Sequence, residues 1–279
     1  MERIASKYRY TKAKHNRFIK EGRGQGEGKE YSPWIDTNDV PSVGRVHRVL
    51  GYKTGRTHAF FSDLEEKYFY LCEWSKNIKD IREQFPLNLE DTIRICEELN
   101  IDHPFDPKTD VYIPFTTDFL LTVVENGKER FLGRTIKPVM DLNNLRTIEK
   151  FEVERIYYSE KGIDWGIVTE KELPEQLVAN IEMLYTFYTV DKNKEFLPIF
   201  VDDLLTIHGS PSVIHFCKTF DKSYQLENGT GLGLFKCLVA RRVIEQHDFQ
   251  VKLDFTQPIT EFIANEEEAG SIVQSFCGK

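Results

Sequence analysis

The chain has few of the features that settle a protein's class quickly. Its five cysteines, Cys72, Cys96, Cys217, Cys237 and Cys277, are odd in number, far apart and never arranged as CxxC. That argues against a disulfide frame or a zinc site and for reduced, core-filling thiols in a cytosolic protein. No apolar run approaches the roughly 20 residues that span a bilayer. Met1 to Lys20 is charged and has no apolar core, so secretion is not indicated. The glycines between Gly22 and Gly28 are followed by Lys29 and Glu30, where a phosphate-cradling Walker loop needs Lys and then Ser or Thr. No nucleophile elbow is present. His208, His215 and Cys217 are neighbours in sequence, but a fourth ligand at zinc-like spacing is absent.

Basic charge is also in short supply, with a net charge of −8. The distribution is uneven. Residues 1–60 carry 13 Lys or Arg against 6 Asp or Glu, so the remainder carries −15. A basic end on an acidic body suits local contact with phosphate, and a solvated tail suits the charge equally well. Residues 1–30 read as a basic, Gly-rich arm. Residues 31–172 and 173–279 read as two domains, since 279 residues suffice for two of ordinary size.

What is present is an alternation of helix and strand patterns. Helical spacing of apolar residues marks 62–75, 87–103, 144–160 and 174–188. In 144–160 the inward set is Leu145, Ile148, Phe151 and Ile156. Strands are expected at 78–85, 117–124, 130–136 and 164–169. Beyond 190 the pattern is helix (211–222), Gly-rich turn (228–233), helix (234–246) and strand (249–255), a small winged-helix-like order.

The clearest local signal is Glu125-Asn126-Gly127-Lys128 between two β-rich runs, a two-residue type I′ hairpin. With Asn126 and Gly127 as the loop, Asp118 falls opposite Thr135, and Lys137 lies two residues further along the same face. A carboxylate, a hydroxyl and an ammonium then converge at one sheet end. Phosphodiester hydrolysis explains that grouping. A hard cation takes oxygen ligands from Asp118 and the Ile136 carbonyl, and Lys137 holds the attacking water. A structural Asp118–Lys137 ion pair explains it too. Glu65 is the second carboxylate available, although Ser62-Asp63-Leu64-Glu65 also reads as a capping box.

Several runs resemble the TnsA endonuclease family within the PD-(D/E)xK nucleases. They are residues 20–26, Ser32-Pro33-Trp34, residues 53–56 with 62–65, residues 80–86, Thr117-Asp118-Phe119, and residues 146–150. The resemblance implies an α/β fold, with a restriction-endonuclease-like αβββαβ core, a mixed sheet and a small C-terminal winged-helix-like domain. It implies that Glu65 and Asp118 bind Mg²⁺, or Mn²⁺ as substitute, and that Lys137 is catalytic. Thr135 and Glu149 are accessory candidates. Glu154 also lies on the following helix, where a solvated face is expected. Lys20, Arg23, Lys29 and Arg56 are candidate DNA contacts. The position two before the lysine is usually acidic in these nucleases, and here it is Thr135.

By the same resemblance, the chain is expected to cut the strand at the 5′ ends of a transposon. It would act in the bacterial cytoplasm with the transposase TnsB and the ATPase regulator TnsC. A stand-alone nuclease of the same core, or a DNA- and ATPase-binding assembly factor with a decayed site, are the alternatives.

Overall fold

In a computed structural model, residues 9–39, 45–189 and 193–264 are described. Contacts divide the chain into two units, Met1–Leu173 and Pro174–Lys279. Cys277 lies outside the described residues, and the other four cysteines are free and buried. Among the described residues, no helix is long and apolar enough to cross a membrane.

The first unit begins with helix α1 (Lys12–Lys20), whose Thr11 hydroxyl accepts from the Lys14 N–H. A hairpin of β1 (His47–Leu50) and β2 (Thr57–Phe60) leads into α2 (Asp63–Trp74) and β3 (Ile78–Pro86). Then come α3 (Leu89–Leu99), the short pair β4 (Phe105–Asp106) and β5 (Val111–Tyr112), β6 (Thr116–Glu125), β7 (Lys128–Ile136), α4 (Leu145–Glu160) and β8 (Asp164–Val168). The main sheet runs β3-β6-β7-β8, antiparallel except for the parallel β7–β8 pair. This is the αβββαβ order α2-β3-β6-β7-α4-β8, with α3, β4 and β5 inserted after the first strand.

The β6–β7 turn is type I′. Asn126 and Gly127 both have positive φ, of 51° and 73°, and Glu125 pairs with Lys128. The register continues to Phe119 opposite Arg134, as the turn requires. Core residues cover both faces of the sheet. Leu120 packs with Ile95, Val153, Tyr157 and Tyr158 on one side. Phe119 meets Phe60 and Tyr68 on the other, with ring centroids 5.8 and 5.2 Å apart. Layered burial of this kind is what fixes the sheet between helices.

The Gly-rich segment is a packed part of this unit. Phe18 is buried edge-on against Trp34 at 5.3 Å, and Arg23 lies over the Phe18 ring. The Gly28 N–H donates to Asp80 on β3. Gly24 has φ +73°, and a Cβ there would meet Pro86 Cγ at 2.2 Å. An arm was expected over 1–30; from residue 9 onward it is folded, and residues 1–8 lie outside the described residues. Two of the four expected DNA contacts, Arg23 in this segment and Arg56 beyond it, are drawn inward. Arg23 pairs with Asp39 and Glu21. Arg56 forks onto the carboxylate of Glu83, which is 1% exposed and also bonds His58 Nδ1 at 2.8 Å. Lys20 and Lys29 remain exposed.

The second unit holds α5 (Glu175–Tyr185), α6 (Leu197–Leu205), α7 (Val213–Ser223) and α8 (Thr230–Ala240), then a hairpin of β9 (Ile244–Gln246) and β10 (Phe262–Ala264). This is a helix-then-hairpin order of winged-helix type. The Asp221 carboxylate accepts from Gly229 and Gly231 at 2.8 and 2.6 Å, which fixes the turn before α8. Two expectations fail here. The helix expected to reach 246 stops at Ala240, where Arg242 turns left-handed (φ 60°) and the Val243 N–H returns to Leu238. Residues 249–255 form no strand. The buried Asn180 side chain bonds the Phe249 and Val251 carbonyls and the Leu253 N–H, taking the partners a ladder would need.

Buried Glu83 is held well below its ordinary pKa, at about 2: burial raises it, but His58 and Arg56 outweigh that effect. Arg56→Met strands this charge, and unfolding in urea should show a loss of about 3–5 kcal/mol. Because the folded pKa is depressed, wild-type stability from this group is full above about pH 5 and fades as pH falls toward 2. A loss below about 1 kcal/mol in Arg56→Met would show that the network does not hold the fold.

Candidate active site

Glu65 enters the site from the first turn of α2. Its backbone N–H donates to Ser62 Oγ at 3.2 Å. Its carboxylate accepts from Ser62 Oγ at 2.8 Å and from the Phe61 N–H at 3.1 Å. Ser62 is therefore a real N-cap, but the expected capping box is not closed: the Glu65 carboxylate takes the Phe61 N–H and the Ser62 hydroxyl instead of the Ser62 N–H. Glu65 is buried, and its pKa is raised to about 7, first by burial and then by the charge of Asp118. A cap exposed to water has no need of that pressure.

Asp118 sits near the start of β6. One oxygen accepts from the Ile136 N–H at 2.7 Å and the other from Gln84 Nε2 at 3.3 Å. Gln84 holds a left-handed backbone (φ 49°) on β3, a strained position beside the site. Burial raises the Asp118 pKa to about 6, against these hydrogen bonds and the charge of Lys137. The charge of Asp118 favours a proton on Glu65. Lys137 acts on both acids and is only loosely paired with Asp141, at 3.7 Å.

Thr135 does not complete the trio expected from the hairpin. The β6–β7 ladder ends at Phe119–Arg134, one pair short of it. The Thr135 hydroxyl donates to Glu154 Oε2 at 2.6 Å and accepts from Trp165 Nε1 at 3.1 Å. Ile136 reaches Asp118 through its N–H.

Glu154 was expected on a solvated face of α4, and the structure places it inside. It is 4% exposed. One of its oxygens, Oε2, receives Thr117, Thr135 and Trp165 donors, which ties β6, β7 and β8 to α4. Burial raises its pKa to about 8, and Asp118 adds to the rise. The signal that finds it is the burial of 151, 154 and 158 together with 153 and 157, which share one face of α4. Leu145 and Ile148, expected to face inward, are 71% and 47% exposed. Glu149 pairs with Arg146 at 2.9 Å and takes no part in the carboxyl cluster.

Comparison with known proteins settles the family. A model described as the TnsA-like endonuclease N terminal matches residues 75–170, and one described as the TnsA endonuclease C terminal matches residues 172–246. The transposition protein TnsA of transposon Tn7 from Escherichia coli is 41% identical over 231 residues, covering 82% of this chain and 84% of that protein. The chain belongs to the TnsA endonuclease family.

A TnsA-family nuclease implies a divalent metal, and the donor set can be tested for fit. Among the described residues, no group of three His, Cys, Asp or Glu is placed to hold one. A buried Glu65 and a half-buried Asp118 that repel each other beside a lysine are nonetheless an oxygen-donor pair short of positive charge, which fits a hard cation with water completing its shell.

Raised carboxyl pKa values have a definite consequence. The folded state favours the protonated acids, so their contribution to stability is full below about pH 4 and is lost as pH rises through about 6–8. A bound divalent ion removes that penalty. Millimolar Mn²⁺ should therefore raise Tm by about 5–10 °C at pH 8 and far less at pH 5.5. Asp118→Asn should abolish the metal shift. An equal shift in Asp118→Asn would place the metal elsewhere.

Proposed function

We propose that this TnsA-family chain is a Mg²⁺-dependent endodeoxyribonuclease that hydrolyses the strand at the 5′ ends of a transposon during excision. The observation that carries the reading is the meeting of buried Glu65 and half-buried Asp118, from two different elements, within reach of each other's charge and of Lys137. In this reading Glu65 and Asp118 hold the ion, with the Ile136 carbonyl as a further ligand. The bound ion supplies Lewis acidity at the scissile phosphate.

The chain's own groups do the rest. Lys137, with its ammonium charged, orients the attacking water and offsets charge that develops on the phosphate. The Ile136 N–H and Gln84 fix the Asp118 carboxylate so that its lone pairs face the site. Glu154 positions Thr117 and Thr135 behind Asp118. Attack in line with the 3′ oxygen breaks the P–O3′ bond and leaves a 5′-phosphate and a 3′-hydroxyl.

The relative named for Tn7 is a transposition protein, and we extend that setting to this chain. A transposase of the TnsB type then cuts the other strand, and the second unit meets an ATPase of the TnsC type, all in the bacterial cytoplasm. The acidic body and the internal pairing of Arg23 and Arg56 support recruitment by proteins over strong independent DNA binding. A second reading, an assembly factor with a decayed nuclease site, draws support from Thr135 and the absence of a third acid facing the metal.

Excision assays with end DNA and the partner transposase separate the two. Asp118→Asn and Lys137→Ala should each lower 5′-strand cleavage by about 10²–10³-fold while 3′-strand cleavage by the partner persists. Unchanged 5′ cleavage in Asp118→Asn would leave the assembly-factor reading standing.

A further inference from the structure

The strand β7 ends at Ile136, and α4 begins at Leu145. Between them a short 3-10 turn, Val139–Asn143, carries an apolar surface that the reaction as described does not use. Met140 is 79% exposed and Leu145 is 71% exposed, the two highest values among the exposed large hydrophobics of the described residues. Ile148, one turn beyond Leu145, is also exposed. A lone exposed leucine is ordinary, but a cluster beginning three residues after the catalytic lysine calls for a partner.

The turn is built to hold these side chains still. The Lys137 N–H donates to Val168 O at 3.0 Å, and the Val139 N–H to Glu170 Oε2 at 3.0 Å. The Asp141 N–H returns to Pro138 O, and the Asn144 N–H to Asp141 O. Asn144 then caps α4 through the Thr147 N–H at 3.2 Å. Leu145 is thus the first residue of a capped helix on an anchored turn.

The charges around the patch identify what covers it. Lys137 precedes it, and Arg146 and Lys150 follow it. The first turn of α4 has no acid, so its positive end is not offset. Asp141 and Glu149 each make one contact, with Lys137 and Arg146. Lys150 makes no ion pair among the described residues. Shielding from water lowers its pKa, and the charges of Arg146 and Lys137 add to the effect. An apolar ridge flanked by cations matches a polyanion with an apolar interior, which is the stacked duplex.

We propose that the Met140–Leu145 turn is a wedge that enters the DNA base stack next to the phosphate being cut, parting one base step to seat that phosphate over Glu65, Asp118 and Lys137. This rests on the reading of the site as a nuclease centre. Methionine and leucine are among the side chains that other proteins insert between base steps, at a cost of a few kcal/mol per step. Charged contacts on both sides of the ridge offset that cost.

The test uses the full chain on duplexes carrying the element's terminal sequence, with 2-aminopurine placed in turn at each step around the cut. Without Mg²⁺, wild type should brighten one position by about threefold or more, the signature of an unstacked base. The double variant Met140→Ala/Leu145→Ala should lose that signal. Its cleavage of paired DNA should fall at least about tenfold, and the deficit should shrink when the same step is mispaired. Both positions are on the surface, so an unchanged melting temperature will show that the double variant folds. Wild type that binds and cuts with no brightened position overturns the wedge alone. So does a double variant that keeps the signal, or one whose defect appears only when a protein partner is added, which would make the patch a protein contact. Wild type that neither binds nor cuts end DNA, with or without the partner transposase, overturns the nuclease reading as well.

Discussion

Repulsion between the Glu65 and Asp118 carboxylates sets the terms of this site: the charge of Asp118 adds to burial in raising the Glu65 pKa. Much of the first unit can be understood as the means of keeping Glu65 and Asp118 in place against that repulsion. Glu65 is pinned at a helix start by Ser62 and Phe61, so it cannot swing into solvent. Asp118 is pinned by a backbone N–H of the neighbouring strand and by Gln84, whose own backbone is strained to reach it. Such strain persists only where the surroundings over-determine it, and here Gln84 is held from two further sides. Its carbonyl accepts from the Trp34 N–H, and its side-chain oxygen accepts from Thr116.

The third acid shows how the fold limits the repulsion. A charged Glu154 directly behind Asp118 would add a second like charge to the same volume. Three donors converge on one oxygen of Glu154, yet burial and the charge of Asp118 still raise its pKa to about 8, which favours the protonated form. A neutral carboxyl can bond strand ends together without adding to the anion count. The same side chain that would disturb the site as a carboxylate thus serves it as an acid. Thr135, in a position usually acidic among these nucleases, is one of its partners, so the exchange of acid for hydroxyl is matched by a carboxyl one layer deeper.

Much of this was legible in the residues, and the exceptions have physical reasons. The Asn126-Gly127 turn determined the β6–β7 register, because two positive-φ residues permit one hairpin geometry. The αβββαβ order was legible because each element has a strong period. The inward face of α4 was misread because Leu145 and Ile148 are apolar and Glu154 is not, and a rule that sends apolar residues inward has no way to see a buried acid with three donors waiting for it. The 249–255 segment has strand composition, but the amide that satisfies its backbone comes from Asn180, about 70 positions away, and composition carries no trace of that. Arg56 reads as a surface cation until Glu83 is placed beside it by the β2–β3 packing.

That last case bears on how the chain meets DNA. The basic surplus of residues 1–60 suggested an electrostatic handle for phosphate. Folding uses part of it internally: Arg23 faces Asp39, Arg56 faces Glu83, and Arg17 faces Glu21 and Asp39. A cation already neutralised by a carboxylate releases few counterions on meeting DNA, so it adds little to affinity. Lys20 and Lys29 at the N-terminal end and Lys150 on α4 make no ion pair among the described residues, and Lys137 is only loosely paired, whereas Arg146 faces Glu149. Charge placed at the reacting centre orients a phosphate more than it captures one from solution. For the proposed nuclease, that arrangement fits a chain brought to its substrate by other proteins, with its own charge kept for the reacting phosphate.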